Sequence, residues 1–309
     1  MNPSVPSADH ISVCVCTYRR NELLQRLLRK LSLQRTGGLF EYSIVVVDND
    51  AEGHAREIVA RIQVELLDDI TYSIEPERTI PAARNHALRL ARGNYIAIID
   101  DDEFPQPDWL LRMYEGIRTF DVDGTLGPVY PFFAGTPPAW LVKSGLCELP
   151  VYRTGTVLHW NQTRTGNVLI KKDVFEKHDL LFDPRFRTGG SDQEFFRQAM
   201  ALGCQFVAVE EAPVFEVVPP VRWTRTYWFK RALVNGFNNR RYTAGETSMA
   251  LQAILTLKSA VGAITYALML PVCACMGHHR LINCLEKGCY HLSRACASFG
   301  IELWKRRDF

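Results

Sequence analysis

The chain has 309 residues, which suits one large domain or two modest ones and leaves room for a sizeable core. Its 36 Lys and Arg residues nearly balance 34 Asp and Glu residues, and the net charge of +2 gives no reason to expect nucleic-acid binding. Hydrophobic residues make up 47%, so the composition is that of a packed globular protein and excludes a disordered chain.

The first hundred residues alternate predicted strands with predicted helices. Short apolar runs predict four buried strands in HISVCVCTY, YSIVVVDND, ITYSIEP and NYIAIID. Helices are predicted between them in RRNELLQRLLRKLSLQ, in residues 52–64 and in IPAARNHALRLARG, where Gly93 follows the helix end. This alternation predicts an α/β fold with a mostly parallel sheet and helices on both faces.

Polar side chains stand at the ends of three of these strands. Thr17 follows the first strand, the acids of VDND follow the second, and the acids of IIDDDE follow the fourth. Ligands of open α/β sheets bind beyond the carboxyl ends of the strands. We therefore expect the three strand ends to converge on one crevice.

The second half of the sequence is less regular. GPVYPFFAGTPPAWL is rich in proline and aromatic residues and predicts a structured loop. The stretch from Arg164 to Gly203 predicts a strand, a short helix, a Gly-Gly loop and a helix from about Asp192. CQFVAVEEAPVFEVV predicts a pair of strands.

Cysteine usage and the N-terminus point to the cytosol. The nine cysteines include no CxxC pair, and Cys14 and Cys16 lie on one face of a predicted strand as core thiols. A disulfide framework or a zinc site is therefore not expected, and a reducing compartment is. MNPSVPSADH has no apolar segment, so we expect no signal peptide.

The four acids Asp100 to Glu103 allow several interpretations. A solvated acidic loop would have to tolerate repulsion between four neighbouring charges. A Walker B strand would need a GxxxxGK[ST] loop, and the chain has no Gly-Lys dipeptide; a dinucleotide site would need GxGxxG after the first strand. A divalent cation that bridges a nucleoside diphosphate fits best, because Mg²⁺ and Mn²⁺ prefer carboxylate and phosphate oxygens.

These motifs together carry a resemblance to a known family. TYRR, VVVDND, ARNHAL, ARGNYIAIIDDDE and TGGSDQEFF occur in the order found in GT-A glycosyltransferases of family 2. The wider pattern is similar to the exopolysaccharide branch that makes succinoglycan-type polymers. The resemblance covers residues 10–240. It implies a catalytic domain over 1–245, with a nucleotide-sugar half at about 10–125 and an acceptor half at about 126–245.

The resemblance implies a role for each residue at the strand ends. It assigns Thr17, Arg19, Asp48 and Asn49 to the nucleoside pocket, directs Arg84 at the nucleotide, and makes Asp101 the ribose-side or base-side acid. Asp102 is then the metal ligand, and Asp100 completes the DxD motif and contacts either metal or nucleotide. Turn capping remains an alternative for Asp48 and Asp50, and a solvated helix position for Arg84. The family often has Pro-Thr-Tyr-Asn where this chain has Cys16-Thr17-Tyr18-Arg19.

The TGGSDQEFF motif is expected to provide the catalytic base. The resemblance makes Asp192 that base, although Ser191 replaces the usual glutamate and Asp192 also suits a helix N-cap. A base here would deprotonate an acceptor hydroxyl while that oxygen displaces UDP. One such displacement inverts the anomeric centre, so an α-linked UDP-sugar would give a β-linked product.

The C-terminal third combines basic, aromatic and apolar segments. VRWTRTYWFKRALVNGFNNRRY suits a membrane surface, the diphosphate of a donor or lipid-linked acceptor, or an ordinary amphipathic helix. It lacks QxxRW, which processive family members carry, so transfer of a single sugar is expected. In the region 246–309, Ser259–Gly277 has no charge and is just long enough to span a bilayer. We expect it to associate peripherally or in the membrane plane rather than to span the bilayer, with a buried soluble helix as a further alternative.

The sequence thus predicts a metal-dependent, inverting glycosyltransferase at the cytoplasmic face of a membrane. It would use Mn²⁺ or Mg²⁺ to transfer one hexose, with glucose expected, from a UDP-sugar to a lipid-linked glycan. Two alternatives stay open. One is a catalytically silent relative that binds nucleotide-sugar or acts as a scaffold. The other is a sugar-nucleotide pyrophosphorylase, although CTYRRNE lacks the glycines that such an enzyme would have after its first strand.

Overall fold

The computed structural model describes residues 9–66, 69–186, 189–244 and 248–304, with backbone alone for 241–244. The chain forms two compact units. The sheet unit comprises Met1–Phe132 and Leu149–Val217, and the helical unit comprises Phe133–Glu148 and Val218–Phe309.

The sheet unit contains the alternating elements that the apolar spacing predicts. Its strands are β1 Asp9–Thr17, β2 Phe40–Asp48, β3 Ile70–Ile74, β4 Tyr95–Ile99, β5 Glu103–Pro105, β6 Gly124–Leu126, β7 Val129–Phe132, β8 Asn167–Lys171, β9 Phe206–Ala208 and β10 Val214–Val217. Its helices are α1 Asn21–Leu31, α2 Arg56–Leu66, α3 Ile80–Leu90, α4 Trp109–Phe120, α6 Asp173–Glu176 and α7 Ser191–Ala201. The helical unit has α5 Ala139–Ser144, α8 Arg225–Ala244, α9 Met249–Cys275 and α10 His278–Ala297.

Side-chain alternation along the strands builds a core on each face of the main sheet. Val13 and Val15 of β1 pack on one side, against the leucine stripe of α1. Cys14 packs on the other side with residues of α3 and α7. Because successive strand residues point to opposite faces, a continuous apolar strand needs helices on both sides. The prediction of helices on both faces is confirmed.

The main sheet has seven strands in the order β3-β2-β1-β4-β8-β6-β9. Strands β1 to β4 are mutually parallel where they pair, and Thr17 lies opposite Asp48 in the β1–β2 register. Strand β8 runs antiparallel to both β4 and β6. The sheet is therefore mostly parallel, as predicted, with the antiparallel strand β8 beside β4.

A second, three-stranded sheet has the order β5-β10-β7. The two strands predicted in CQFVAVEEAPVFEVV are present as β9 and β10, but they belong to different sheets, since β9 pairs with β6 while β10 pairs with β5 and β7. Pro213 precedes β10 and has no N–H to continue a ladder. The short sheet places β10 beside β5, the strand that begins at Glu103.

Gly93 lies beyond the end of α3, as the sequence predicts, but it is not the residue that caps the helix. Helix α3 ends at Leu90, with Ala91 at its C-cap. A Cβ atom at position 93 would collide with the backbone carbonyl of His10. Glycine is therefore required for close approach of this loop to β1.

The helical unit is dominated by α9 and α10, which pack antiparallel along their lengths. Tyr266 of α9 stacks on His291 of α10 with ring centroids 5.6 Å apart. Within the described part of the chain, α9 is the one helix long and apolar enough to cross a bilayer. Pro271 lies inside it.

Candidate active site at the strand ends

The ends of β1 and β4 are joined by a side-chain hydrogen bond. The Thr17 hydroxyl donates to Asp101 Oδ2 at 2.8 Å, and both side chains are buried. Asn49, which follows β2, donates its backbone N–H to the carbonyl of Thr17 at 2.8 Å. The structure thus brings the three strand ends together at one edge of the sheet.

Arg20 is a site residue that the sequence did not single out. Its guanidinium donates from one nitrogen to Asp101 Oδ1 at 2.9 Å and to Asp102 Oδ2 at 3.0 Å. Burial lowers the pKa of Arg20, but the charges of the two carboxylates outweigh this and leave that pKa raised. Arg20 therefore supplies positive charge to the middle of the acidic segment.

The acidic segment, defined as Asp100–Glu103, remains electrostatically strained. Burial raises the pKa of Asp101, and burial together with the neighbouring Asp100 charge raises that of Asp102 to about 7. The pKa of Glu103 is raised well above its usual value, again first by burial. Added positive charge would relieve this strain.

A fifth acid comes from the short sheet. Glu216 of β10 lies directly opposite Glu103 of β5 in the antiparallel register. Gly166 faces the same acids: a Cβ there would lie 2.6 Å from Glu103 Oε1 and 3.3 Å from Asp100 Oδ2. A side chain at position 166 would therefore displace the carboxylate of Glu103.

Arg84 points at the acidic segment and is not a solvated helix residue. Its side chain is 11% exposed, and its guanidinium donates to Asp100 Oδ1 at 3.4 Å. The guanidinium also lies over the ring of Phe182, 5.4 Å from the centroid. These contacts aim a cation from α3 at the DxD motif.

The residues after β2 shape the loops of the site. Asp48 is fully buried and accepts hydrogen bonds from the Tyr72 hydroxyl at 3.0 Å and the Ala55 N–H at 2.8 Å. Asn49 donates to the carbonyls of Glu75 and Glu77 at 2.9 and 2.7 Å. The side chain of Asp48 has the capping geometry of the alternative interpretation, and that of Asn49 fixes the loop before α3.

Arg19 lies in a separate ion-pair cluster. Its Nε donates to Asp50 Oδ2 at 2.6 Å, and this contact lowers the pKa of Asp50 to about 2. His54 Nδ1 is 2.6 Å from the same oxygen, and Glu52 lies 3.3 Å from His54 Nε2. Asp50, Glu52 and His54 could by their donor atoms hold a metal ion. In this conformation the guanidinium of Arg19 supplies the positive charge that balances the Asp50 carboxylate.

Asp192 stands in the first turn of α7. The N-cap position is Gly190, with φ of +92°, so the N-cap alternative for Asp192 is wrong by two residues. A glycine is needed at this left-handed position, which places Ser191 and Asp192 inside the helix. Thr188 of the same motif lies outside the described residues.

Arg164 is a second cation that the sequence did not identify. Burial lowers its pKa, while Glu103, Tyr152, Glu216 and Asp192 act in the opposite direction by charge. Its guanidinium donates a hydrogen bond to the Pro150 carbonyl at 3.4 Å. Arg164 lines a small pocket together with Tyr152, Gln162 and other residues. It therefore lies within electrostatic reach of the acids and of Asp192.

The donor set at the acidic segment fits a hard divalent cation. Asp100 and Asp102 offer carboxylate oxygens, which Mg²⁺ and Mn²⁺ prefer. Burial first, and then the charge of Asp100, raise the pKa of Asp102, and the charge of Arg20 offsets only part of this rise. The fit to a divalent cation rests on Asp100 and Asp102. It does not rest on the Asp50 cluster, because Arg19 is already paired with the Asp50 carboxylate.

The parallel sheet, the DxD segment at its carboxyl edge and the adjoining short sheet define a GT-A-like glycosyltransferase fold. Residues 12–178 match the description "Glycosyl transferase family 2". The chain is 34% identical over 253 residues to the succinoglycan biosynthesis protein ExoM of Rhizobium meliloti, covering 79% of this chain and 78% of that protein. The chain belongs to glycosyl transferase family 2 and is an enzyme of that class.

Other similar proteins agree at the level of fold and family. Chondroitin synthase of Escherichia coli is 26% identical over 252 residues, covering 71% of this chain and 36% of that protein. The crystal structure of S. aureus TarS 1-349 in complex with UDP-GlcNAc matches with a TM-score of 0.53 and 15% identity. That match covers 94% of this chain and 92% of TarS 1-349, and it supports the fold alone.

Proposed function

We propose that this glycosyltransferase transfers one hexose, with inversion, from a UDP-sugar to a lipid-linked glycan during synthesis of a surface polysaccharide. Glucose is the sugar that we expect. The observation that carries the proposal is the Thr17–Asp101–Arg20–Asp102 network at the strand ends. The similarity to ExoM, named for succinoglycan biosynthesis, supports the polysaccharide product.

Donor binding is assigned to the residues at the strand ends. Thr17, Arg19, Asp48, Asn49, Arg84, Asp100 and Asp101 form the proposed nucleotide-sugar site. Arg84 and Arg20 bring positive charge to an edge where a diphosphate would add negative charge. Charge-assisted hydrogen bonds of this kind hold phosphate oxygens firmly.

A divalent cation is proposed beside the diphosphate. Asp102, with Asp100, would hold Mg²⁺ or Mn²⁺. When bound, such an ion offsets the charge that develops on the leaving diphosphate.

Asp192 is proposed as the base. Its carboxylate would take the proton of the acceptor hydroxyl while that oxygen bonds to the anomeric carbon. The bond from the anomeric carbon to the diphosphate oxygen breaks in the same step, and UDP leaves with the electron pair. Attack opposite the leaving group inverts the anomeric centre. Because only one sugar adds in each encounter, no processive channel is required.

The proposed location is the cytoplasmic face of a membrane, where UDP-sugars and lipid-linked acceptors meet. Residues 1–245 are proposed as the catalytic region and 246–309 as its membrane-associating region.

UDP release from purified full-length chain tests this proposal. The donors are UDP-glucose, UDP-galactose, UDP-GlcNAc and UDP-glucuronate, each with Mn²⁺, with Mg²⁺ and with EDTA. We expect slow hydrolysis of one donor that EDTA abolishes and Mn²⁺ restores, and addition of bacterial lipid extract should accelerate UDP release. If donors bind by calorimetry but none is cleaved with lipid extract present, the chain is a nucleotide-sugar-binding relative.

A further inference from the structure

One face of α9 exposes an apolar stripe, defined as Leu257, Val261, Ile264 and Leu268. The spacing of four, three and four residues places them on the same side of the helix. Leu257 is 66% exposed, Ile264 61% and Leu268 74%. A soluble protein would normally place polar residues on such a face. The stripe is therefore an interaction surface.

The opposite face of α9 is built from small and polar residues. Ser259 is fully buried, and a Cβ at Gly262 would lie 2.9 Å from the His291 ring of α10. The Cys284 thiol donates to the Tyr266 carbonyl at 3.2 Å, so a polar contact also crosses this interface. Small residues and polar contacts inside, with large apolar side chains outside, are typical of helices that pack in lipid.

The charge of the chain is concentrated in the same region. Residues 218–309 carry 13 Lys and Arg against four Asp and Glu, whereas residues 1–217 carry 23 against 30. Basic residues beside an apolar helix face favour the surface of an anionic bilayer. The same excess of positive charge disfavours a second copy of this region as the partner of the stripe.

The packing of α10 on α9 distinguishes between two arrangements of α9, one that spans the membrane and one that lies in its plane. It packs along α9: the Thr256 and Ser298 hydroxyls lie 2.8 Å apart near one end, and Cys284 contacts Tyr266 further along. A spanning α9 would therefore carry α10 into the hydrocarbon, including Arg280, Glu286 and Lys287. Charged side chains at the bilayer centre are strongly unfavourable, so this arrangement is disfavoured.

We propose that the helical unit docks on an anionic lipid bilayer, with α9 in the membrane plane and its apolar stripe turned into the acyl region. The exposed basic residues Arg225 and Arg231 of α8 and Arg280 and Lys287 of α10 then attract the lipid headgroups. This inference deepens the membrane association proposed above; it depends on the helical unit alone and does not require the proposed sugar transfer.

Flotation with lipid vesicles tests the surface. Full-length protein is mixed with phosphatidylcholine vesicles, either pure or with about a third phosphatidylglycerol, in low and high salt. We expect at least tenfold stronger binding to the anionic vesicles, weakened by high salt. The double variant Ile264→Glu with Leu268→Glu should lose at least tenfold in binding. Both side chains are exposed, so the fold should be retained, which circular dichroism checks.

A matched control and an alkaline wash complete the test. Val64→Glu introduces the same charge at an apolar side chain that is 89% exposed in α2, and it should bind vesicles like the unmutated protein. A carbonate wash at high pH should strip the bound protein. Retention after the wash would overturn the in-plane arrangement. Unchanged binding of the double variant, or self-association without vesicle binding, would overturn the proposed surface. UDP release without lipid is measured on the same variants, so loss of docking is distinguished from failure of the transferase proposal.

Discussion

The hydroxyl of Thr17 donates to the carboxylate of Asp101 across 84 residues of sequence, at 2.8 Å. This bond ties the last residue of β1 to the second residue after β4. It also satisfies one oxygen of a carboxylate that is 5% exposed. A buried carboxylate without such a donor would retain its full desolvation penalty.

Replacing Thr17 with valine should destabilise the metal-free protein. The substitution keeps the shape of the side chain but leaves Asp101 without one donor, which we expect to cost about 1–3 kcal/mol. Urea denaturation in the absence of UDP-sugar measures the free energy of unfolding. Thr17→Ser restores a hydroxyl and should recover most of the loss. Equal stability of the valine variant and the unmutated protein would mean that this bond contributes little.

Arg20→Gln should weaken binding of the UDP-sugar donor. Arg20 contacts both Asp101 and Asp102, so its loss leaves two carboxylates facing an anionic ligand. We expect at least a tenfold rise in Kd, measured by calorimetry with Mg²⁺ present. Arg29→Gln is the control, because Arg29 lies in α1, the helix that begins directly after Arg20, but forms an exposed pair with Glu65. An unchanged Kd for Arg20→Gln would contradict the assigned role.

Asp192→Asn should abolish transfer while donor binding persists. A general base typically contributes 10²–10⁴-fold, so we expect a fall of about that size in turnover. Glu194→Gln tests another acid of the same first turn, one that is paired with Arg197. Calorimetry gives the donor Kd, and UDP release with acceptor gives turnover. Near-normal turnover of Asp192→Asn would show that another group is the base.

The metal-free protein should become less stable as the pH rises from about 4 to 7. Asp102 has a pKa of about 7 in the folded protein against 3.8 as its ordinary value, and the pKa of Asp101 is also raised. The folded state therefore holds protons that the unfolded chain releases in this range, so the free energy of unfolding falls with rising pH. Thermal unfolding in EDTA measures the slope.

Asp102→Asn provides the direct comparison for this pH dependence. It should flatten the slope and raise the melting temperature in EDTA at pH 7.5, because a buried charge is removed. Asp108→Asn, at a partly exposed acid nearby in sequence, should leave both unchanged. A melting temperature that falls in the Asp102 variant would contradict the explanation by buried charge.

Local periodicity was enough to predict the alternating half of the fold. The strands β1 to β4 are short apolar runs, and α1 carries leucines at helical spacing, so their types followed directly from the residues. The convergence of the strand ends followed from the geometry of parallel sheets. The pairing of β9 and β10 did not, because three-residue and four-residue strands carry too little pattern to specify a partner.

The site residues that sequence reasoning missed are joined only by tertiary structure. Arg20 lies 81 residues from Asp101, and it is indistinguishable in sequence from the neighbouring Arg19. Glu216 reaches Glu103 only through the β5–β10 register. A signal was available for Arg20: it is the residue before α1, at the same strand end as Thr17.

The backbone of Arg19 has a φ of +52°, a left-handed conformation that non-glycine residues adopt at a cost of roughly 1–2 kcal/mol. Asparagine tolerates this conformation best among larger residues, and asparagine is what related motifs often place after Thr-Tyr. The bend after β1 can therefore stay the same while its side chain varies. In this chain, arginine accepts the strain and gains the ion pair with Asp50. Replacing Arg19 with asparagine would consequently remove the ion pair with Asp50 and lower the backbone strain, while the loop keeps its conformation.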